Sequence, residues 1–100
     1  MNYPDSVYIY SAATTDTDTG SATTLFTLRE TACSRVQPVS NREATRAGIT
    51  AGDTAYTFYF ESDITLTIKD RIEYNSNTYE IVELVVYPNT YKKAIGRIII

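Results

Sequence analysis

The nine residues Arg35–Glu43, RVQPVSNRE, constrain the fold of this chain more than any other segment. Pro38 has no amide hydrogen to give a sheet ladder, so a strand carrying Cys33 to Gln37 stops there. Ser40 with Glu43 three residues on is a capping box, in which each side chain satisfies the other residue's orphan amide. A strand end, a proline turn and a capped helix start therefore follow one another directly. The helix this predicts runs from about 41 to 47, capped by Ser40 and stopped by Gly48. At about two turns it needs a sheet to pack on.

The rest of the chain supplies that sheet. Its 100 residues make a single domain, 1–100, with room for one core. Nine Tyr, three Phe and a Thr/Ile/Val bias favour strands. Val7 to Tyr10 is a short strand. Ser11 to Thr24, SAATTDTDTGSATT, has no apolar periodicity and reads as a mobile loop that adds nothing to a core. Strand character resumes over Leu25 to Gln37, with Leu25, Phe26, Leu28, Ala32, Cys33 and Val36 as its apolar members.

Thr54 to Phe60 alternates, placing Tyr56, Phe58 and Phe60 on one face. Ile64, Leu66 and Ile68 continue as a half-buried strand or extended segment, in phase with Ile72 and Tyr74. Asn75-Ser76-Asn77 tolerates positive φ and makes a tight hairpin turn. Beyond it the apolar phase shifts from Tyr79 and Ile81 to Val82, Leu84 and Val86, the mark of a β-bulge or of a strand covered on both faces. Pro88-Asn89 is a turn, and Ile98-Ile99-Ile100 needs cover on both sides. The expected fold is mainly β: a small antiparallel barrel or sandwich with one short helix and a long mobile loop at about 11–24.

Residues able to do chemistry are few. There is no histidine, so the commonest general base and metal ligand is missing. Asp16 and Asp18 resemble half of a calcium loop, but the twelfth position from Asp16 is Thr27, where a bidentate Glu is required. Glu61, Asp63 and Asp70 read as solvated carboxylates at strand ends rather than a catalytic pair. Cys33, the lone cysteine, forms no intramolecular disulfide and reads as a small buried hydrophobe. The expectation is no catalytic residue, no cofactor and no metal.

A net charge of −3 without a basic run argues against gripping phosphate. The first residues have neither a basic nor an apolar signal region, and no apolar run is long enough for a membrane span, so no membrane partner is expected.

Two motifs resemble tailed-bacteriophage head–tail joining proteins, also called head-closure, stopper or head-completion proteins. The first is Val36, Pro38, Ser40, Arg42 and Glu43. The second follows the YTFYF strand as Ile64, Thr65, Asp70, Arg71, Ile72, Tyr74, Tyr79 and Ile81. The likeness covers roughly residues 25 to 100. It departs where that family often has Gly, at Asn41 and in the Asn75-Ser76-Asn77 turn, and where it often has an aromatic residue, at Thr31 to Cys33.

The resemblance implies a structural virion protein at the head–tail interface, made in the cytoplasm of a bacterial host. Such a protein forms a six- or twelvefold homo-oligomeric ring below the portal and adaptor proteins and above tail-terminator or tail proteins. The ring retains packaged double-stranded DNA without reading its sequence. Thr14, Thr15, Asp16, Thr17, Asp18, Thr19, Gly20 and Ser21 would then form a channel or clasp loop. Arg42, Glu43 and Arg46 would meet a neighbouring subunit or the adaptor. The alternatives are another phage tail or baseplate β module, or an OB-like binding domain.

Overall fold

A computed structural model describes residues 2–16, 22–49 and 54–99. Its elements are β1 (Asp5–Asp16), β2 (Ala22–Pro38), α1 (Asn41–Arg46), β3 (Ala55–Glu61), β4 (Arg71–Tyr74), β5 (Asn77–Tyr87) and β6 (Tyr91–Ile98). The strands close into a barrel in the order β1-β2-β3-β6-β5-β4, every pair antiparallel. Of the two expected architectures the barrel is the one adopted.

The barrel interior is filled by alternate residues of every strand. Val7 and Ile9 of β1, Ala32 of β2, Phe58 and Phe60 of β3, Ile72 of β4, Tyr79 and Ile81 of β5 and Ala94 of β6 form one buried cluster. Tyr56, Phe58, Tyr74 and Tyr79 meet edge to face, with ring centroids 5.6–6.4 Å apart. Gly96 makes room for them, since a Cβ there would sit 2.8 Å from Phe58 Cε2 and 3.1 Å from Tyr79 Cβ.

The strand-to-helix junction forms as its residues dictate. β2 ends at Pro38, and the Ala44 amide donates to the Ser40 carbonyl at 2.9 Å, which sets Ser40 at the helix cap. At the other end Gly48 has φ +76°, its amide donates to Thr45 O, and the Ile49 amide reaches back to Ala44 O at 2.8 Å. That pair of bonds is a Schellman motif, with Ile49 as its buried apolar residue.

The hairpin turn and the phase change after it also form. Asn75 and Ser76 both have positive φ, 50° and 67°, between register partners Tyr74 and Asn77, so β4 and β5 are joined by a two-residue type I′ turn. The phase change in β5 is a bulge: Ile81 pairs with Gly96 and Glu83 with Ile95, leaving Val82 as the extra residue.

Three expectations about β1 and β2 need correction. The first is the loop at 11–24, most of which is strand: Ser11 to Asp16 pairs in register with Ala22 to Thr27. Backbone pairing needs no apolar alternation, so the pattern that marks a half-buried strand is absent from this ribbon. Residues 17–21 lie outside the described part of the chain.

The second concerns Cys33, which is exposed because its inward neighbours Ala32 and Ser34 take the core side of β2. The third concerns Leu25 and Leu28, which stand 58% and 50% exposed instead of joining the core. They lie where β2 has already left the barrel.

Candidate functional site

The feature that sets this barrel apart is the ribbon made by the outer parts of β1 and β2. β4 pairs with β1 only at Tyr8, Ile9 and Tyr10, and β3 pairs with β2 only from Arg35 to Pro38. From Ser11 onward the two arms pair only with each other among the described residues. Six further residues of β1 carry the ribbon about 20 Å beyond the last rung with β4. The molecule measures 47 × 32 × 26 Å as a result, and its radius of gyration is 14.3 Å against about 13 Å for a compact chain of this length.

A second bulge lies at the ribbon's base. Ile9 pairs with Glu30 and Tyr10 with Leu28, so Arg29 is the extra residue on β2. Bulges re-aim side chains, and this one sends the guanidinium across to the segment that crosses from β3 to β4. Arg29 Nη1 donates to Asp70 Oδ2 at 2.9 Å and to Ser11 Oγ at 2.8 Å, and Nη2 donates to the Thr65 carbonyl. The Thr67 amide donates to the same Asp70 oxygen at 2.9 Å.

The crossing segment is held at two more places. Leu66 is buried in the core cluster, and Lys92 donates to the Ile64 carbonyl. Asp70 is only 4% exposed, so it belongs to this clamp and not to a solvated surface, contrary to expectation.

Asp70's neighbour grips the ribbon a second time. The Arg71 guanidinium lies 3.7 Å from the centroid of the Phe26 ring, a cation–π contact. Phe26 shares the outward side of the ribbon with Leu28, and the outward side of the barrel wall continues it through Tyr10 and Tyr8. Leu28 and Tyr8 are 50% and 45% exposed, which makes this face partly apolar. The Tyr10 hydroxyl contacts Glu73 Oε1 at 3.4 Å, and burial followed by the Glu73 charge raises its pKa.

The other residues singled out from the sequence separate by role. Val36, Ile72, Tyr74, Tyr79 and Ile81 all pack in or against the barrel core. Pro38 and Ser40 build the junction to α1. The Val36 amide also donates to Asp5 Oδ2 at 3.1 Å, tying that junction to the start of β1.

Arg42 is exposed on α1, and Glu43 and Arg46 lie on the same helix, with side chains outside the described part. Thr14, Thr15 and Asp16 form the outer arm of β1, whereas Thr17, Asp18, Thr19, Gly20 and Ser21 are outside the described residues. The helix group and the ribbon group are thus on separate elements.

Arg29 and Phe26 are the functional candidates that sequence reasoning missed. Phe26 carried a strand signal without a side, and Arg29 carried no local signal at all.

Among the described residues no group of three or more His, Cys, Asp or Glu side chains is placed to hold a metal ion. No described helix is long and apolar enough to cross a membrane.

No family model and no curated protein matches this chain. In solved structure it is similar to protein SF1141 from Shigella flexneri 2a, a structural-genomics target determined in solution. The TM-score is 0.76 at 19% identity, covering 98% of this chain and 96% of that one. At that identity the likeness is one of fold, and it extends over nearly the whole of both chains.

Proposed function

We propose that this chain is a non-catalytic structural protein of the tailed-phage neck. It assembles as a homo-oligomeric ring between the portal and adaptor above and the tail proteins below, retains packaged DNA and provides the tail's attachment surface. One observation carries the reading: the motif residues Asp70 and Arg71, on which the resemblance to head–tail joining proteins rests, are the ones that fasten the ribbon, through Arg29 and Phe26. A barrel with a rigidly rooted projecting ribbon is a suitable unit for a ring that must leave its centre open and still reach inward or toward a neighbour.

Charge supports the same reading. The chain is acidic overall, and Asp16 and Asp18 are the only charged residues of the segment 11–28. Fixed positive charge along a channel would hold the phosphates of passing DNA, and a ribbon without Lys or Arg lets them pass. Asp70 is committed to its pairing with Arg29, which leaves no buried carboxylate at that site for acid–base work. The exposed Arg42 side of α1 is the second candidate contact, toward a neighbouring subunit or the adaptor. A six-stranded closed barrel in this order also differs from the five-stranded OB barrel, which disfavours the oligonucleotide-binding alternative.

Electron microscopy of lysates from a virus carrying a nonsense codon in this gene tests the reading. Free tails beside heads that have lost their DNA are the expected result. Full heads with abnormal or missing tails would move the protein to the tail or baseplate, and normal particles would overturn the assignment. Deleting Thr14 to Ser21 should leave the barrel folded yet impair DNA retention or joining.

A further inference from the structure

The ribbon carries two open strand edges on opposite sides. Among the described residues β1 has no strand beside it from Ser11 to Asp16 except β2, and β2 from Ala22 to Leu28 has none except β1. Each edge presents a row of amide and carbonyl groups whose natural partner is another strand edge. Soluble proteins normally blunt such edges with Lys, Pro or a bulge. Here the segment 11–28 has no Lys, no Arg and no Pro, and the bulge at Arg29 lies at its root. Its many β-branched Thr residues favour extended pairing.

Charge distribution identifies the occupant. None of the nine Lys and Arg and only two of the twelve Asp and Glu fall within 11–28. Two copies of an acidic chain repel each other over most of their surface, and these arms are where they approach without like charges facing. Loss of charge at the centre, together with the exposed apolar Leu25 and Leu28, is the composition of a protein interface. The edges are also complementary in number and direction: with two ribbons side by side and tips aligned, β1 of one lies antiparallel to β2 of the next.

We infer that copies of this chain join edge to edge through the ribbon, residues 11–16 of one copy pairing with residues 22–28 of the next. The contact is head-to-tail, so it repeats from copy to copy, and it closes into a collar when the rotation between neighbouring copies divides a full turn. This takes up the ring reading above and names the contact that would hold it. The barrels would then lie outside the collar, held at a set angle by the Arg29–Asp70 clamp.

Amide hydrogen exchange of the purified full chain, measured alongside sedimentation at increasing concentration, tests the pairing. In the assembled species the outward amides of 11–16 and 22–28 should exchange at least ~10-fold more slowly than in dilute monomer, as newly paired strand amides do. Assembly with those amides still exchanging freely would overturn the edge contact while leaving a ring through another face intact. A chain that stays monomeric at the highest concentration reached would also overturn it.

Ala13→Pro and Thr14→Pro, made singly, supply a second reading. Consecutive amides point to opposite sides of β1, so one variant blocks the open edge and the other the β1–β2 ladder. The edge variant should keep core protection and lose assembly. Retained assembly in both, with the core still protected, would count against the proposal. The lysate micrographs decide the phage reading independently, since edge pairing does not require it.

Discussion

Arg29 and Asp70 lie 41 residues apart in sequence and meet at 2.9 Å, a bulged residue of one strand against the last residue before another. The carboxylate is 4% exposed and the guanidinium side chain 27%. Arg29 also holds Ser11 and the Thr65 carbonyl, so one side chain joins the ribbon, the crossing segment and the start of β4.

Removing the buried member leaves the other charge with poor compensation, which costs more than the pair itself contributes. Asp70→Ala should destabilise the barrel by about 2–4 kcal/mol in urea unfolding. The double variant with Arg29→Ala should recover part of that loss, giving a coupling of about 1–2 kcal/mol. Additive losses would mean that the two side chains stabilise the fold separately.

Gly96 tests packing at the opposite wall. An added Cβ meets the Phe58 ring at 2.8 Å and the Tyr79 Cβ at 3.1 Å, and neither can move without disturbing the aromatic cluster. Gly96→Ala should therefore cost about 1–3 kcal/mol despite removing a glycine from a strand, readable as a fall in Tm. A neutral or stabilised variant would show that the cluster repacks freely.

The tyrosines set an alkaline limit. Tyr79 ionises less readily than a free tyrosine because burial disfavours the phenolate, with the neighbouring Tyr56 adding to the effect. Tyr10 and Tyr91 shift the same way, chiefly by desolvation. A raised folded-state pKa leaves stability intact below the unfolded value of 10.0 and erodes it as pH rises through the folded value. Tyrosinate absorbance should therefore include a component from Tyr10, Tyr79 and Tyr91 that appears only above that pH, with the Tyr79 part tied to unfolding. Tyr79→Phe should flatten the stability loss. A single normal titration with the fold retained would refute the shift.

Ser76 holds φ at 67° in the β4–β5 turn, where glycine has no steric cost. Ser76→Gly should raise stability by about 0.5–1 kcal/mol, less any gain in unfolded-chain entropy. Chemical denaturation reads it directly, and a loss of stability would mean that the serine makes a compensating contact.

The legible parts of this fold were those specified by neighbours in sequence. Pro38, Ser40 and Gly48 mark the junction and the helix. Asn75 and Ser76 mark the type I′ turn, and the phase change after Ile81 marks the bulge at Val82. Each works through steric or hydrogen-bonding preferences acting over a few residues. The ribbon was not legible, because strands paired only with each other do not need the period of two that a core imposes.

The clamp was illegible for a different reason. A carboxylate before a strand looks solvated until the chain has folded back to bring Arg29 over it. Cys33 followed the same logic: its side of β2 is decided by Ala32 and Ser34, and no apolar alternation preceded it because the bulge at Arg29 had broken the phase.

The barrel's seam carries a kinetic consequence. β1 meets β4 only through Tyr8↔Glu73, Ile9↔Ile72 and Tyr10↔Arg71, whereas the β1–β2 hairpin and the β4-β5-β6 run pair between strands consecutive in sequence. Local pairings form before distant ones because less chain entropy is lost in closing them. Ile9→Val and Ile72→Val, each about 0.5–1.5 kcal/mol, should thus speed unfolding and leave the folding rate nearly unchanged. A matching fall in folding rate would instead put the seam in the nucleus. On this account the last act of folding is the zipping of three rungs, and the first act of unfolding is their parting.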